Sequence, residues 1–404
     1  MKRVKREATK VFKYILLIIL ITASFAYAMF QGGFVSWFLF ASFIPFSCYA
    51  LCLSFYPLKK LKVERMLKQT EYNAGEKISV QLKISRNNSF PILFLILEDK
   101  VSDKLLRRTS RKYKFLLFLN FKREIIHEYT IEKIPRGEYV FYGCSIKTGD
   151  LFSLVEKSAF FECKQRILVY PAAEDLHYQP FEAQFDHGMT ATKDKVQRDS
   201  TMAISLREYE PGDRFSWINW KASARKNELM TKEFEQRQSH DIILALDRTP
   251  NGSFDVAVNF SASVIQAVLK KGAQIGLYSS GASEDYFPIK RGAFQQRTLQ
   301  YFLAKVEDDA EIPFAKILQS ERRLFHKNLS TFIILTEISN EVVETLSKVV
   351  LNKNSTAIFL IKRKNVRVTE KEYAILQLAR QRGFIAKIIF EGEFQQAFVR
   401  GEQR

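Results

Sequence analysis

Residues 14–56 contain no charged side chain, and that absence limits the fold more than any other feature of this 404-residue chain. As one helix those 43 residues would run about 64 Å at ~1.5 Å per residue. The hydrocarbon core of a bilayer is about 30 Å thick, so two helices use the length and one does not. Gln31, Gly32 and Gly33 supply a break near the middle, as a tight helical hairpin needs. The expected spans are residues 14–30 and 34–56, with Pro45 kinking the second, which membrane helices tolerate.

The flanks set an expected orientation. Lys2, Arg3, Lys5, Arg6, Lys10 and Lys13 precede the first span, and Lys59, Lys60, Lys62 and Arg65 follow the second. Positive-inside bias then predicts a multi-pass protein of the bacterial cytoplasmic membrane with both ends in the cytoplasm. A rival reading is a signal peptide cleaved after Ala26-Tyr27-Ala28, which leaves the second span as a single anchor and the bulk still inside. The net charge of +18 suits membrane lipids, since an anionic inner leaflet attracts basic segments. Nucleic acid is the competing partner for so basic a chain, but the basic residues are spread rather than gathered. Cys48 and Cys52 fall in the second span, and Cys144 and Cys163 lack metal-ligand spacing, a usage that fits packing in a reducing compartment.

Beyond the hairpin (1–60) the pattern divides. Residues 61–171 alternate apolar and polar with period two, as in Ile78-Ser79-Val80-Gln81-Leu82-Lys83-Ile84, the mark of half-buried strands. Further strands are expected at 90–97, 125–131, 139–146 and 166–170, and short strands between turn signals predict a β-sandwich. Within it, Arg107, Arg108, Arg111, Lys112 and Lys114 lead into Phe115, Leu116, Leu117, Phe118, Leu119 and Phe121. The plain reading is a solvated basic loop followed by a buried strand; the other is a hairpin lying on the inner leaflet. Residues 172–238 are expected to be an irregular connection carrying a dense motif. From 239 to 392 strands alternate with helices, which predicts an α/β domain whose parallel sheet has helices on both faces. A polar tail is expected over 393–404.

The dense motif carries a resemblance. Arg207, Glu208, Tyr209, Pro211, Gly212, Asp213, Ile218, Trp220, Lys221, Ala224 and Arg225 closely resemble the signature of domain of unknown function family fifty-eight, bacterial membrane-associated proteins. Pro135-Arg136-Gly137-Glu138-Tyr139, Gly149-Asp150-Leu151-Phe152 and Val169-Tyr170-Pro171 match it upstream. The resemblance implies a two-helix membrane anchor, a β-rich domain and a von Willebrand factor A-like α/β domain. It also implies a MoxR-type AAA+ ATPase as partner and a transglutaminase-like membrane protein as a second one, with no assigned reaction. Arg214 and Asn219 depart from the family by standing where acids are usual.

Two roles are open for the motif. Glu210-Pro211-Gly212-Asp213 is strong turn chemistry, and Trp217 and Trp220 share a face if 215–224 is one helix. Arg207, Asp213, Lys221 and Arg225 then form ion pairs around the turn, a structural lock. Alternatively Arg207, Glu208, Tyr209, Gly212, Asp213, Trp217, Trp220, Lys221 and Arg225 build a docking surface, tryptophan and arginine being the residues that dominate binding hot spots.

A metal site is the second candidate. A-like domains often hold a divalent cation with Asp-x-Ser-x-Ser, because Mg²⁺ takes hard oxygen ligands. Asp247, Thr249 and Asn251 occupy that pattern here, with Ser279, Ser280 and Glu337 as further oxygen donors. Arg248 opposes a cation, and the alternative is a loop in which Asp247 pairs with Arg248 or caps the helix starting near Ser253.

No Gly-x-x-x-x-Gly-Lys-[Ser/Thr] loop, His-Glu-x-x-His or Gly-x-Ser-x-Gly occurs. The five histidines, His127, His177, His187, His240 and His326, are scattered. The expected function is a membrane-anchored, cytoplasm-facing scaffold that docks a MoxR-type AAA+ ATPase and couples it to a membrane or envelope client. A metal-dependent hydrolase using the Asp247 loop is the alternative.

Overall fold

The computed structural model describes residues 2–151, 155–180, 203–210, 213, 215–234, 241–325, 329–350 and 353–399. Pro211, Gly212, Arg214, His187, His240 and His326 lie outside them. The chain forms two compact units, Met1–Ala172 and Ala173–Arg404.

The first unit opens with α1 (Lys2–Gln31) and α2 (Gly33–Phe55). The break between them is where Gly32 and Gly33 take φ of 62° and 82°, a region closed to most side chains and open to glycine. Phe25 meets Phe40 with ring centroids 5.4 Å apart, so the helices fold back on each other. By length and composition α2 is able to cross a bilayer; among the described residues, the apolar stretch of α1 is Leu17–Gln31. Pro45 lies inside α2 without ending it.

The strands that follow are β1 (Lys62–Leu67), β2 (Glu71–Asn73), β3 (Ile78–Ser85), β4 (Leu95–Val101), β5 (Lys114–Leu117), β6 (Glu124–Ile131), β7 (Gly137–Gly149) and β8 (Glu156–Tyr170), with α3 (Asp103–Thr109) between β4 and β5. They make a three-stranded sheet, β1-β3-β6, and a five-stranded sheet, β2-β8-β7-β4-β5. The strict alternation of β3 sends Ile78, Val80, Leu82 and Ile84 inward, where they join Leu95, Leu97, Tyr139, Phe141 and Ile146 of the other sheet in one core. Leu53 and Tyr56 of the α2 end, with Leu58 and Leu61 of the short connection, belong to that same core.

Inside this core sits an ion pair. Arg65 and Asp99 are both buried and bonded to each other, the Tyr129 hydroxyl donates to Asp99 at 2.7 Å, and Arg65 also donates to the Cys163 carbonyl at 2.5 Å. Buried charge is tolerated only when its remaining hydrogen-bonding capacity is met, and these extra partners meet it.

The basic aromatic stretch departs from its plain reading. Arg107 and Arg108 end α3, and only Lys114–Leu117 is strand. Leu117 and Leu119 point inward, but Leu116, Phe118 and Phe121 are exposed. The strand is buried on one face alone: Leu117 and Phe115 meet the core, while Lys114 and Leu116 are exposed on the other face.

The second unit begins with an irregular run that is not a free connection. Tyr178 is buried in the α/β core, with Ala173 and Leu176 packed beside it. Next come β9 (Ala203–Glu208), α4 (Trp220–Lys226) and β10 (Met230–Phe234). The α/β domain comprises β11 (Asp241–Asp247), α5 (Phe254–Lys270), β12 (Gln274–Ser280), β13 (Glu284–Lys290), α6 (Ala293–Lys305), α7 (Phe314–Ser320), β14 (Leu329–Leu335), α8 (Asn340–Val349), β15 (Thr356–Lys362), α9 (Glu370–Gln381) and β16 (Ile385–Phe390).

Its six-stranded sheet runs β13-β12-β11-β14-β15-β16. Ile242, Leu244, Leu246, Phe332, Ile334 and Phe359 face one core with α5 and α6. Ile243, Ala245, Ile333, Leu335, Ile358 and Leu360 face a second core with α7, α8 and α9. Strands buried on both faces read as continuous apolar runs, as β11 and β15 do. Two expectations need correction. The sheet is mixed, because β13 pairs antiparallel with β12; only a short turn around Gly281 joins them, and a parallel partner needs a crossover of a dozen residues or more. Residues 393–399 are not a polar tail, since Phe394, Ala397 and Phe398 are buried in the first core.

Candidate functional site

The signature motif forms a small module. β9 and β10 pair antiparallel, Met230 opposite Glu208 and Thr231 opposite Arg207. Arg207 Nη2 donates to Asp213 Oδ1 at 2.7 Å, and the Glu210 N–H donates to Asp213 Oδ2 at 3.2 Å. Burial alone would raise the Asp213 carboxyl, but the Glu210 amide and the Arg207 guanidinium outweigh it and hold the group below the ordinary carboxylate range. The Tyr209 N–H donates to the Leu229 carbonyl at 2.8 Å, and the Tyr209 ring stacks on Phe215 at 6.3 Å. Arg207, Tyr209 and Asp213 therefore lock the turn. Gly212 lies outside the described residues.

Residues 215–224 are not one helix. A 3-10 turn, Phe215–Trp217, ends where Ile218 bridges Thr231, and α4 restarts at Trp220. Burial of Ile218 against β10 takes the chain out of the helix there. Asn219 caps α4 by accepting the Ala222 N–H at 3.2 Å; asparagine caps as well as aspartate does, so this departure from the family pattern keeps the local structure. Trp217 is half-buried and Trp220 is 66% exposed, so the two do not share one helical face. Phe215 is 75% exposed, and Glu208, Lys221 and Arg225 are exposed as well. Among the described residues Lys221 and Arg225 make no ion pair.

The second place is the carboxyl end of β11. Strand order reverses between β11 and β14, and in open α/β sheets that switch point is where ligands bind. A cavity of about 340 Å³ opens there, lined among others by Asp247, Thr249, Phe314, Glu337, Ser339 and Glu341. The Thr249 N–H and hydroxyl both donate to Asp247 Oδ1, at 2.9 and 2.7 Å. Asn251 Nδ2 donates to Glu337 Oε1 at 2.6 Å, and Asn251 Oδ1 accepts the Ser253 N–H at 2.8 Å. Burial pushes the Asp247 carboxyl above its ordinary range; the Thr249 bonds pull against this and the Glu337 charge adds to it.

Asp247 neither pairs with Arg248 nor caps α5. Arg248 turns the other way, onto Asp285 at 3.0 Å and Asp309 at 2.5 Å. Ser279 is buried and its hydroxyl donates to the Leu246 carbonyl at 3.4 Å. A divalent cation needs oxygen lone pairs that converge. Here Asp247 Oδ1 serves two Thr249 donors, Asn251 Oδ1 takes an amide proton, and the Asn251 NH₂ lies on Glu337. Among the described residues no three Asp, Glu, His or Cys side chains converge on a metal position. These hydrogen bonds occupy Asp247 Oδ1 and Asn251 Oδ1, oxygens that a resident Mg²⁺ would need.

What sequence reasoning missed is the apolar wall of this cavity. Ile312 and Phe314 both line it; a Pro-Phe pair ahead of a helix carries no sign that it faces a pocket.

The sheet, its switch-point cavity and the locked turn with exposed aromatics define an α/β-domain protein joined to a β-sandwich and preceded by an apolar helix. The chain belongs to the family described as protein of unknown function DUF58, which matches residues 205–368. That match runs from β9 to just before α9 and so takes in the signature module and five strands of the sheet. The chain is similar to the uncharacterized protein YeaD of Bacillus subtilis (strain 168), 34% identical over 382 residues, 94% of this chain and 96% of that one. Among solved structures, the CARDB domain of a Pyrococcus furiosus protein covers 27% of this chain and 91% of its own at 11% identity and TM-score 0.19. BslA, a bacterial hydrophobin, covers 28% and 98% at 10% identity and TM-score 0.19. At these scores the structural likenesses carry no argument.

Proposed function

We propose that this chain is a membrane-anchored, cytoplasm-facing scaffold that docks a MoxR-type AAA+ ATPase and couples it to a membrane or envelope client, with a transglutaminase-like membrane protein as a second partner. The observation that carries the reading is the division of labour in the signature module. Arg207, Tyr209 and Asp213 fix the turn, while Trp220, Lys221 and Arg225 are exposed on it and Phe215, stacked on Tyr209, keeps 75% of its surface exposed. Exposed aromatic and cationic side chains on a rigid support are what a binding hot spot needs, and a purely structural motif would bury them.

The anchor is read as α1 and α2 together, both in the membrane. Its support is the fold-back at Gly32-Gly33, the basic residues on both flanks and the apolar side chains that α2 leaves exposed, among them Phe38 and Leu39. Such a surface calls for an apolar surrounding. The α/β domain is read as von Willebrand A-like, supported by its strand order with the third strand antiparallel at the edge.

The test is a pull-down of the full chain from membranes in mild detergent, comparing wild type with Trp220→Ala/Arg225→Ala. Both residues are exposed, so the fold is expected to survive, and thermal melting checks it. Loss of a co-purifying AAA+ ATPase in the variant alone supports the reading. Equal recovery moves the docking surface elsewhere, and no ATPase with either protein sinks the scaffold.

A metal-dependent hydrolase acting at the switch-point cavity is the second reading, favoured by the acids that line it, Asp247, Glu311, Glu337 and Glu341. The hydrogen bonds that occupy Asp247 and Asn251 weigh against it. Titration calorimetry of the full chain with millimolar Mg²⁺ or Mn²⁺ decides: no heat of binding removes its basis.

A further inference from the structure

The exposed aromatics at the edge of the sandwich sit in a definite place. The Tyr49 hydroxyl of α2 accepts the Leu93 N–H at 3.2 Å, and Phe90 stacks on Tyr49 at 6.0 Å and on Tyr56 at 5.3 Å. The segment 90–93 therefore lies along the last two turns of α2. Asn120 exchanges both backbone hydrogen bonds with Ile92, at 2.9 and 3.1 Å. The loop carrying Phe118 and Phe121 is thereby fixed beside the end of α2, roughly within the last 9 Å of that helix at ~1.5 Å per residue.

A buried guanidinium holds the loop in shape. Arg86 donates to the Lys122 carbonyl at 2.8 Å, to the Asn120 carbonyl at 2.6 Å and to the Phe90 carbonyl. It thus ties the loop to the very segment that rests on α2. Arg123 adds a bond to the Ser89 hydroxyl at 2.9 Å. On this clamped support Phe118 is 61% and Phe121 69% exposed, with Lys114, Lys122 and Arg123 exposed around them. Order that costs a buried arginine, applied to a loop that presents phenylalanines to the outside, is order for contact.

We propose that the loop from Leu116 to Arg123 is a membrane-surface anchor, inserting Phe118 and Phe121 into the interfacial layer of an anionic phospholipid bilayer while Lys122 and Arg123 lie against its headgroups. The inference rests on the reading of α2 as a span. Position selects the occupant, because the loop is continuous with the end of the helix where the bilayer surface falls. Charge selects it too: basic residues beside a membrane gain from anionic lipid, and apolar phenylalanine rings gain by burial at the boundary of headgroups and acyl chains.

The test is site-specific photocrosslinking with p-benzoylphenylalanine placed singly at Phe38, Phe118, Phe121 or Phe294 in the full chain. Each variant is reconstituted in vesicles of phosphatidylcholine with or without phosphatidylglycerol. Lipid adducts at 118 and 121, many-fold above those at 294 and enhanced by phosphatidylglycerol, are expected. Lys122→Gln/Arg123→Gln is expected to cut that enhancement about thirtyfold, from ~1 kcal/mol per basic residue near the surface. Adducts at 38 without adducts at 118 or 121 overturn the proposal and leave the span intact. Adducts at none of the three overturn the span itself. Adducts to a protein instead of lipid at 118 and 121 in native membranes overturn it in favour of a protein partner.

Discussion

Single residues decide what the switch-point cavity is. Asp247 is buried with its carboxyl above the ordinary range, so the folded state favours its protonated form. The sign follows from linkage: burying the group costs nothing at low pH, and the cost appears as pH rises through the unfolded carboxylate range and is complete above the folded value. Asp247→Asn keeps an oxygen for both Thr249 donors and removes the charge. Melting curves are expected to show the variant more stable than wild type at neutral pH, with the gain fading as pH falls toward 4 and below. A gain that is equal at every pH, or a loss at neutral pH, would contradict this account. Asp247, Thr249 and Glu337 were legible in the sequence only through the resemblance, as positions of the Asp-x-Ser-x-Ser pattern and its partner after a later strand. That Arg248 turns onto Asp285 and Asp309 was not legible. It depends on β13 folding back beside β12, which the seven residues Glu284–Lys290 do not announce.

At the scale of elements, the strands and helices of the α/β domain could be read almost throughout, since β11, β14 and β15 are continuous apolar runs and the helices between them have their own punctuation. The clearest case is α9. The Thr369 side chain accepts the Glu372 N–H at 3.3 Å while Glu372 Oε2 accepts the Thr369 N–H at 3.0 Å, a capping box written in four consecutive positions. Thr369→Ala is expected to cost about 1 kcal/mol, measured by urea denaturation of the detergent-solubilised chain; an unchanged midpoint would mean the cap is not stabilising. The edge elements were harder. β5 reads like a buried strand, yet only its Phe115 and Leu117 face meets the core, and Leu116 on the other face stays outside. Periodicity reports which side chains share a face and is silent on whether anything covers that face. The signature motif fails for a similar reason: tryptophans three apart suggest one helix, and only the pairing of Ile218 with Thr231 across β10 shows why the helix must stop.

For the whole molecule, the apolar N-terminal helices, the sandwich and the α/β domain make one expectation of sidedness. Phe294 is 78% exposed at the start of α6. Phe294→Cys, in a chain whose Cys48, Cys52, Cys144 and Cys163 are replaced by serine, is expected to escape a membrane-impermeant maleimide in intact spheroplasts and to react after permeabilisation. Labelling before permeabilisation would put this domain outside. The junction between α2 and the sandwich adds a mechanical consequence. Tyr49 and Tyr56 clasp Phe90, Leu58 and Leu61 are sunk in the core, and Lys157 donates to the Tyr56 carbonyl at 2.6 Å, so no slack separates helix from sheet. A rocking or rolling of α2 must swing the sandwich with it through the same angle. The first unit thus behaves as a rigid tiller, and force applied at one end is felt at the other.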